Sequence, residues 1–195
     1  MITRRKLIQN SLAAGLVFPT WQMLSSNGAM AALAPTPDCG SFPTPTPRQS
    51  AGPFFLPNSP ERHDFTGDGP GAPMFIAGFV VDTACEPIAG AVVELWHADN
   101  GGDYDNGGYR FRGHVRSGDN GAYAFQTIRP GRYGSRTPHY HLKVFVEGPR
   151  ALTTQLYFPD AKANVRDGLY DPNLLMRLSG EGESASGRFD LIVSL

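Results

Sequence analysis

The chain has few charges and no long apolar run, and each scarcity excludes a class of protein. Only 18% of its 195 residues are charged, and the formal net charge is −1 at pH 7. No basic patch stands out, so neither nucleic acid nor an anionic membrane is an expected partner. The apolar run Leu12–Phe18 is far shorter than the roughly 20 residues that cross a bilayer. We therefore expect no membrane span.

Helix-periodic stretches are also scarce after the N-terminus, whereas Gly and Pro are abundant, with 23 and 17 residues. Short segments rich in β-branched and aromatic residues alternate with turns, which predicts an all-β, antiparallel β-sandwich with long loops and little helix. The first two strands are expected to pair, the next two to form a hairpin, and the following two to pair. The predicted strands are 75–82, 91–96, 110–116, 122–127, 139–147, 153–158 and 189–195.

The N-terminus has the features of a targeting segment. Thr3–Ile8 contains paired arginines, an apolar run follows, and Ala29–Ala31 offers a small-residue cleavage site. We therefore expect residues 1–31 to be a twin-arginine-type signal peptide and the protein to be periplasmic or secreted. A Pro-rich extended arm is predicted for residues 32–52, followed by one sandwich domain at residues 53–195.

The sequence has 2 cysteines, Cys39 and Cys85, so only one pairing within the chain is possible. In a cytosolic protein they would be unpaired thiols, whereas an oxidising compartment favours a disulfide. Export therefore predicts a bridge that tethers the arm to the sandwich.

Two histidines lie at alternate positions at the start of the predicted strand 139–147. Side chains alternate between faces along a strand, so His139 and His141 point the same way and can reach one metal ion. Tyr133 follows a Pro-Gly turn shortly upstream, and Tyr104 follows a Gly-rich loop. Phenol oxygens and imidazole nitrogens suit a highly charged, oxygen-loving metal better than a thiolate-seeking one. The spacing alone leaves metal binding and a structural role both open.

Several motifs in one order make the sequence similar to a known family. They are Pro87–Ala91, Val92–Asp99, Gly102–Tyr104, Arg129–Tyr133, Arg136–His141 and Thr154–Phe158. In this combination they resemble the intradiol ring-cleavage dioxygenases, the non-haem ferric family that includes catechol and protocatechuate dioxygenases. The resemblance covers the chain from Gly52 to the C-terminus.

The resemblance implies an Fe(III) cofactor, a catechol-type substrate and dioxygen, with cleavage between the two hydroxyl-bearing carbons to a muconate-type diacid. Tyr133 would also leave the metal and accept a substrate proton, and Arg136 and Gln155 would lie beside the substrate. Tyr109 is the alternative to Tyr104 on the same Gly-rich loop. The implied iron ligands are Tyr104, Tyr133, His139 and His141.

Two features depart from well-studied members. Only Gly134–Pro138 separates Tyr133 from His139, where those members have a longer insertion that walls the pocket. The identity of the substrate therefore does not transfer. The helical N-terminal dimerisation region of catechol dioxygenases is also missing, and the sequence leaves the oligomeric state open.

A rival interpretation comes from another class. Gly78–Asp82, Pro87–Ala91 and Gly121–Phe125 also resemble prealbumin-like sandwich modules, which are structural or carbohydrate-binding and carry no metal. The fold would be similar, so the fold does not decide the function. The two tyrosines and two histidines discriminate, because such modules do not need them.

Overall fold

The structure, a computed structural model, describes residues 44–146 and 151–194. Strands make up most of its regular structure, and the helical elements in this part of the chain are short 3₁₀ turns. The nine described strands are β1 (Pro73–Asp82), β2 (Val92–Trp96), β3 (Arg112–Arg116), β4 (Ala122–Ile128), β5 (His139–Phe145), β6 (Ala151–Tyr157), β7 (Arg177–Ser179), β8 (Ser186–Arg188) and β9 (Leu191–Val193). The 3₁₀ turns are Thr66–Asp68, Asn164–Arg166, Pro172–Leu174 and Gly182–Ser184.

The strands form two sheets, which confirms the predicted all-β sandwich. One sheet has the order β4-β1-β8-β7, with β9 also paired to β1, and the other has the order β3-β2-β5-β6. Apolar side chains from both sheets form one buried cluster, for example Ile76 and Phe125 from the first and Leu95 and Leu142 from the second. Full burial of each such side chain contributes about 1.5–3 kcal/mol, so this cluster holds the two sheets together.

Two of the predicted strand pairings are wrong. β1 pairs with β4, whereas β2 pairs with β3 and β5, so β1 and β2 lie in different sheets. β3 and β4 also lie in different sheets, and the turn at Ser117–Gly121 crosses between the sheets instead of closing a hairpin. Each of these strands has one strongly apolar face. When two such strands lie opposite each other in different sheets, both apolar faces are buried in the interior. The predicted pairing of β5 with β6 is confirmed.

The sheets are not wholly antiparallel, because β8 and β9 both pair with β1 in parallel. β7 and β8 were not expected from the sequence. Each has three residues, and their Ser, Gly and Arg content carries no strand pattern. Within the described residues, no helix is both long enough and apolar enough to cross a bilayer.

The described part of the predicted arm runs along β6 and β9. The Gln49 amide donates to the Thr153 carbonyl at 2.8 Å, and the Thr46 amide donates to the Ile192 carbonyl at 2.9 Å. These bonds tie the arm to one strand of each sheet. The face of the four-stranded sheet that points away from the core is called the outer face below. The predicted signal peptide, the predicted arm as far as residue 43 and Cys39 lie outside the described residues. Cys85 is disulfide-bonded.

Candidate metal centre and active site

The two predicted histidine ligands lie side by side on the outer face. β5 places His139 and His141 there, while Tyr140 and Leu142 belong to the core on the opposite face. The Nε2 atoms of the two histidines are 3.1 Å apart. Both side chains are buried, with 4% and 3% of their surface exposed. The alternation predicted from the sequence therefore brings the imidazoles to one point.

Tyr104 reaches this point from a loop whose shape depends on two glycines. Gly102 has φ +97°, and a Cβ there would lie 2.0 Å from the Arg132 carbonyl oxygen. A Cβ on Gly131 would lie 2.4 Å from the Asn100 carbonyl oxygen. Only glycine allows so close an approach, so the loop before Tyr104 packs backbone to backbone against the loop before Tyr133.

Three donor atoms converge at the site. The Tyr104 hydroxyl oxygen is 3.1 Å from His141 Nε2 and 3.4 Å from His139 Nε2. Ligand atoms held about 2.1 Å from one metal ion at tetrahedral or right angles are about 3.0–3.4 Å apart. The spacing of these three atoms therefore fits a shared metal ion. Tyr109 lies elsewhere, because it is exposed and its hydroxyl donates to the Pro57 carbonyl at 3.3 Å.

Both imidazoles are held in the form that binds a metal. Nδ1 of His139 donates to the Thr137 carbonyl at 2.7 Å, which leaves Nε2 with its lone pair toward the site. Burial lowers the pKa of His139 to about 4. Burial, together with the neighbouring His139, also lowers the pKa of His141 well below its usual value. Two neutral nitrogens 3.1 Å apart are stabilised by a cation between them.

The phenol of Tyr104 needs such a cation to ionise. Burial raises its pKa above the ordinary value near 10, and the charges of Arg136 and Arg112 oppose this shift only in part. A metal ion at bonding distance would reverse the balance and make the phenolate stable. These donors are therefore better suited to binding a highly charged cation than to contacting only one another.

His141 is oriented by flat contacts on its ring. The Trp96 ring is stacked on it, with 4.9 Å between centroids and 6° between planes. On the arm, Gly52 has φ +67°, and a Cβ there would lie 3.5 Å from His141 Cε1. Nδ1 of His141 is buried and has no hydrogen-bond partner in the described structure. On the Nδ1 side of this imidazole, packing rather than a hydrogen bond sets its orientation.

Tyr133 stands at the edge of the site. It is 41% exposed, and its ring lies edge-on to Tyr104, with 5.6 Å between centroids. Phe54 fills the corner between them, stacked on Tyr104 at 4.3 Å and edge-on to Tyr133 at 5.0 Å. The Tyr133 hydroxyl makes no hydrogen bond to either histidine. The structure thus brings Tyr133 beside the three converging groups, and its predicted ligand role stays a prediction.

Arg136 and Gln155 lie together in a partly buried network. Nη2 of Arg136 donates to Gln155 Oε1 at 2.6 Å and to the Tyr157 hydroxyl at 3.3 Å, and Nε donates to Asp167 at 2.9 Å. Gln155 pairs with His141 across β5 and β6, which places it beside the site. The ion pair of Arg136 is not a surface pair, because Asp167 is almost fully buried.

Asp167 fixes the short loop between Tyr133 and His139. Besides Arg136, it accepts from the Thr137 amide at 2.9 Å and from the Leu169 amide at 2.9 Å. Burial alone would raise its pKa, but these amide bonds and the guanidinium together hold the pKa below its ordinary value. The ionised Asp167 carboxylate holds the Arg136 guanidinium in place.

Sequence reasoning missed several contributors to the site. Asp167 is a single acid in a loop, and nothing local to it indicates its partners. Trp96 could have been found, because a strand register that places it opposite His141 follows once β2 is known to pair with β5. Phe54 lies beside the site, because its ring is stacked on Tyr104.

Other features of the described residues do not compete with this site. No group of three or more His, Cys, Asp or Glu side chains could hold a metal ion there, a count that leaves tyrosine aside. Two cavities of about 380 and 500 Å³ lie where Pro45–Pro47 packs near β9, and no predicted site residue lines either of them. His97 is buried away from the site, with Nε2 2.6 Å from the Thr127 hydroxyl.

An all-β sandwich with phenol and imidazole donors on the outer face of one sheet is a recognisable combination. Residues 50–173 match the protein family described as Dioxygenase. Chlorocatechol 1,2-dioxygenase from Rhodococcus opacus is 33% identical over 138 residues, which are 55% of this chain and 54% of that protein. Hydroxyquinol 1,2-dioxygenase from Nocardioides simplex is 31% identical over 144 residues, covering 61% of this chain and 49% of that protein.

A solved structure matches more completely. It is the dioxygenase domain of a dioxygenase carbohydrate-binding protein fusion from Streptomyces sp. SirexAA-E, with a TM-score of 0.75 and 43% identity, covering 78% of this chain and 99% of that one. The chain belongs to the intradiol dioxygenase family, which confirms the resemblance seen in its motifs. It spans about half the length of the sequence relatives named above. A non-catalytic prealbumin-like module is not favoured by these matches.

Proposed function

We propose that this chain is an Fe(III)-dependent intradiol dioxygenase that cleaves catechol-type diols between the two hydroxyl-bearing carbons. The observation that carries the proposal is the convergence of the Tyr104 hydroxyl with Nε2 of His139 and His141 at 3.1–3.4 Å. Family membership supports the same conclusion, because the relatives are named for this reaction on catechol, chlorocatechol and hydroxyquinol.

Tyr104, His139, His141 and Tyr133 would hold the iron. The buried, neutral imidazoles and the phenol that needs a cation to ionise fit an ion of high charge. Ferric iron bound there would supply the Lewis acidity that draws electron density from a catecholate and makes its ring carbon reactive toward dioxygen. Two phenolates favour the ferric over the ferrous state, because their charge offsets most of the charge of the ion.

The remaining residues bind, orient and move protons. Arg136 leaves Nη1 without a hydrogen bond to any described residue, and this donor is the one available to a substrate oxygen. Its fixed positive charge would stabilise negative charge that develops on the substrate ring. Tyr133, at the exposed edge, would accept a substrate proton on its hydroxyl oxygen, and a general base of this kind contributes about 10²–10⁴-fold.

The substrate class follows from the edge of the site. The five residues Gly134–Pro138 form a tight turn, in which the Arg136 amide donates to the Tyr133 carbonyl at 2.9 Å. A turn this short leaves the site open on the Tyr133 side. We therefore propose catechol and ring-substituted catechols as substrates, rather than one small acid held on all sides.

The N-terminal sequence supports a further element of the proposal. Paired arginines, an apolar run and a small-residue site would direct the folded protein out of the cytoplasm, so the reaction would take place in the periplasm or outside the cell. Cell fractionation of the wild type and of an Arg4→Lys, Arg5→Lys variant tests this, and equal cytoplasmic retention of both would contradict export.

The central experiment is oxygen uptake by iron-loaded protein with a panel of catechols. We expect a red-brown protein with one iron per chain, and mass spectrometry with labelled dioxygen should show both oxygen atoms in a ring-opened diacid. A His139→Ala, His141→Ala double variant is the matched control. A yellow semialdehyde product, or no oxygen uptake with any catechol in the panel, would contradict the proposal.

A further inference from the structure

Arg112 on β3 is a buried cation that the site described above does not use. Its side chain is only 1% exposed. It makes one hydrogen bond, from Nη2 to the Phe54 carbonyl at 2.6 Å, while Nε and Nη1 are buried with no partner. A buried charge with so few partners is destabilising by several kcal/mol, so its presence needs a reason beyond stability.

Other arginines of the described chain show what a structural role looks like. Arg62 pairs with Asp68, and Arg188 pairs with Asp190 at 3.2 Å. Arg112 has a carboxylate nearby, that of Glu94, which is also buried and keeps Oε1 without a partner. No ion pair joins these two described residues. The charge of Arg112 is therefore left unneutralised by contact.

The single hydrogen bond of Arg112 leads to Tyr104. By holding the Phe54 carbonyl, the guanidinium fixes a segment that is otherwise a loop. The Phe54 ring then lies flat on the Tyr104 ring, with 4.3 Å between centroids and 14° between planes. A shift of the carbonyl would move this ring and release the phenol from one side.

A second contact leads to His141. Arg112 pairs with Trp96 across β3 and β2, and its guanidinium carbon is 6.0 Å from the centroid of the indole ring. Trp96 in turn pairs with His141 across β2 and β5 and is stacked on it. His141 has no hydrogen bond at Nδ1, so on that side of the ring the stack on Trp96 holds the imidazole.

We propose that Arg112 is a positioning residue of the metal centre, which holds Phe54 against Tyr104 and Trp96 against His141. Two of the three converging donors thus depend on one side chain that contacts neither of them by hydrogen bond. The inference rests on the proposed function for its meaning, although part of its test needs no iron.

The first test compares Arg112→Gln and Arg112→Lys with Arg188→Gln. Arg188 is a matched control, because it lies on the other sheet but has similar surroundings. Its guanidinium carbon is 5.5 Å from the centroid of the Phe79 ring, and its Nε is buried without a partner. Iron retention against a chelator, the phenolate-to-iron absorption band, kcat, KM and melting temperature would be measured.

We expect Arg112→Gln to shift the absorption band and to lower iron retention or kcat by about 10–100-fold, the usual effect of losing a residue that orients a metal ligand. Arg112→Lys should recover part of the loss, and Arg188→Gln should change only the melting temperature. An Arg112→Gln protein with the wild-type band and with retention and kcat within twofold of wild type would overturn the proposal.

The second test uses metal-free protein, so its failure is distinct from failure of the proposed function. Nitration of tyrosines by tetranitromethane, mapped by peptide mass spectrometry, should modify Tyr104 faster in Arg112→Gln and Arg112→Lys than in wild type. The exposed Tyr109 is the internal reference in each sample. In a protein that already carries Phe54→Leu, Arg112→Gln should increase the rate of Tyr104 nitration less than it does in wild type. Arg112 acts on Tyr104 through the Phe54 ring, which is already removed there. Equal Tyr104 nitration in all variants, or strictly additive effects, would refute positioning.

Discussion

Beside the site, the two faces of the four-stranded sheet are buried to a similar degree but differ in chemistry. The inner face carries Leu95, Tyr140 and Leu142, each with none of its surface exposed. The outer face carries His139 and His141, which are almost as buried. These residues alternate along single strands, so neighbours one position apart serve different purposes. Burial alone therefore does not distinguish a core from a site.

The state of the buried polar groups does distinguish them. On the inner side, the Tyr140 hydroxyl donates to the Ile128 carbonyl at 2.9 Å, and both ring nitrogens of His97 have partners. On the outer side, His141 Nδ1, Trp96 Nε1 and two nitrogens of Arg112 have none. Unsatisfied buried groups lower stability, and they are tolerated where function requires them.

Removing one residue from each face should produce the largest contrast. His141→Ala should lose most of its iron, because one of three converging donors is gone, and turnover should fall with it. Leu142→Ala should instead cost about 2–5 kcal/mol of unfolding free energy, as core truncations do, and keep its iron. Iron per folded chain and urea unfolding of the metal-free proteins measure the two effects.

If the two variants behaved alike, the assignment of the outer face to the site and of the inner face to the core would be wrong. A His141→Ala protein that retains iron at the wild-type level would mean that the convergence of donors does not mark a metal centre. A Leu142→Ala protein that unfolds like wild type but loses iron would mean that the inner face serves the site directly.

Replacing two tyrosines, one at the site and one in the core, should give the next largest effects on kcat and stability. Tyr133→Phe should keep iron, held by Tyr104, His139 and His141, but lower kcat by about 10²–10⁴-fold, since the proposed proton acceptor is gone. Because Tyr133 is exposed, its loss should change stability by less than about 0.5 kcal/mol.

Tyr140→Phe is the matched change in the core. It leaves the buried Ile128 carbonyl without its donor, so it should cost about 1–3 kcal/mol of stability and leave kcat unchanged. Full activity of Tyr133→Phe would show that its assigned role as proton acceptor is wrong.

The sequence predicted the parts of this molecule that depend on short-range patterns. Strand alternation was enough to place His139 and His141 on one face, and apolar segments with turns were enough for an all-β sandwich. The pairing of β5 with β6 was predicted correctly, but the partners of the first four strands were not accessible, because the choice of sheet for β2 and β4 depends on which apolar faces meet across the interior. Tyr104 was placed by motif order, since its approach depends on contact between two distant glycine-containing loops.

The residues that support the site, Asp167 and Arg112, could not be predicted from the sequence for a related reason. Asp167 lies 31 residues from Arg136 and meets it only in the folded chain. Arg112 acts through a carbonyl 58 residues away. No periodicity or motif encodes such contacts, because each depends on tertiary packing rather than on local propensity.

A pair of acid-to-amide changes tests how much the buried network of the outer face matters. Asp167→Asn should lower kcat by about 10–100-fold, because the amide no longer holds the Arg136 charge in place. Asp160→Asn, which removes an exposed partner of Arg129, should change stability by at most about 1 kcal/mol and leave kcat unchanged. Steady-state kinetics and thermal unfolding of both variants make the measurement, and equal kinetics would show that Arg136 needs no anchor.

The last expected effect is the pH dependence of stability on the core side. Burial lowers the pKa of His97 to about 4, whereas a histidine in the unfolded chain has a pKa of about 6.5. Between these values the unfolded chain binds the extra proton, so the unfolding free energy falls as pH falls. The expected slope is about 1.4 kcal/mol per pH unit for this residue. Above pH 6.5 the stabilising difference is fully present.

Urea unfolding of metal-free wild type and His97→Gln at pH 7, 6 and 5 isolates this contribution. His139 and His141 add to the slope with the same sign, and they are present in both proteins, so the difference between the two curves belongs to His97. His63→Gln serves as the control, because that side chain is exposed and meets water in both states. Parallel curves for wild type and His97→Gln would mean that His97 is not held neutral by burial. A flatter curve for the variant would show that a buried histidine in the core is coupled to stability, independently of any metal bound on the outer face.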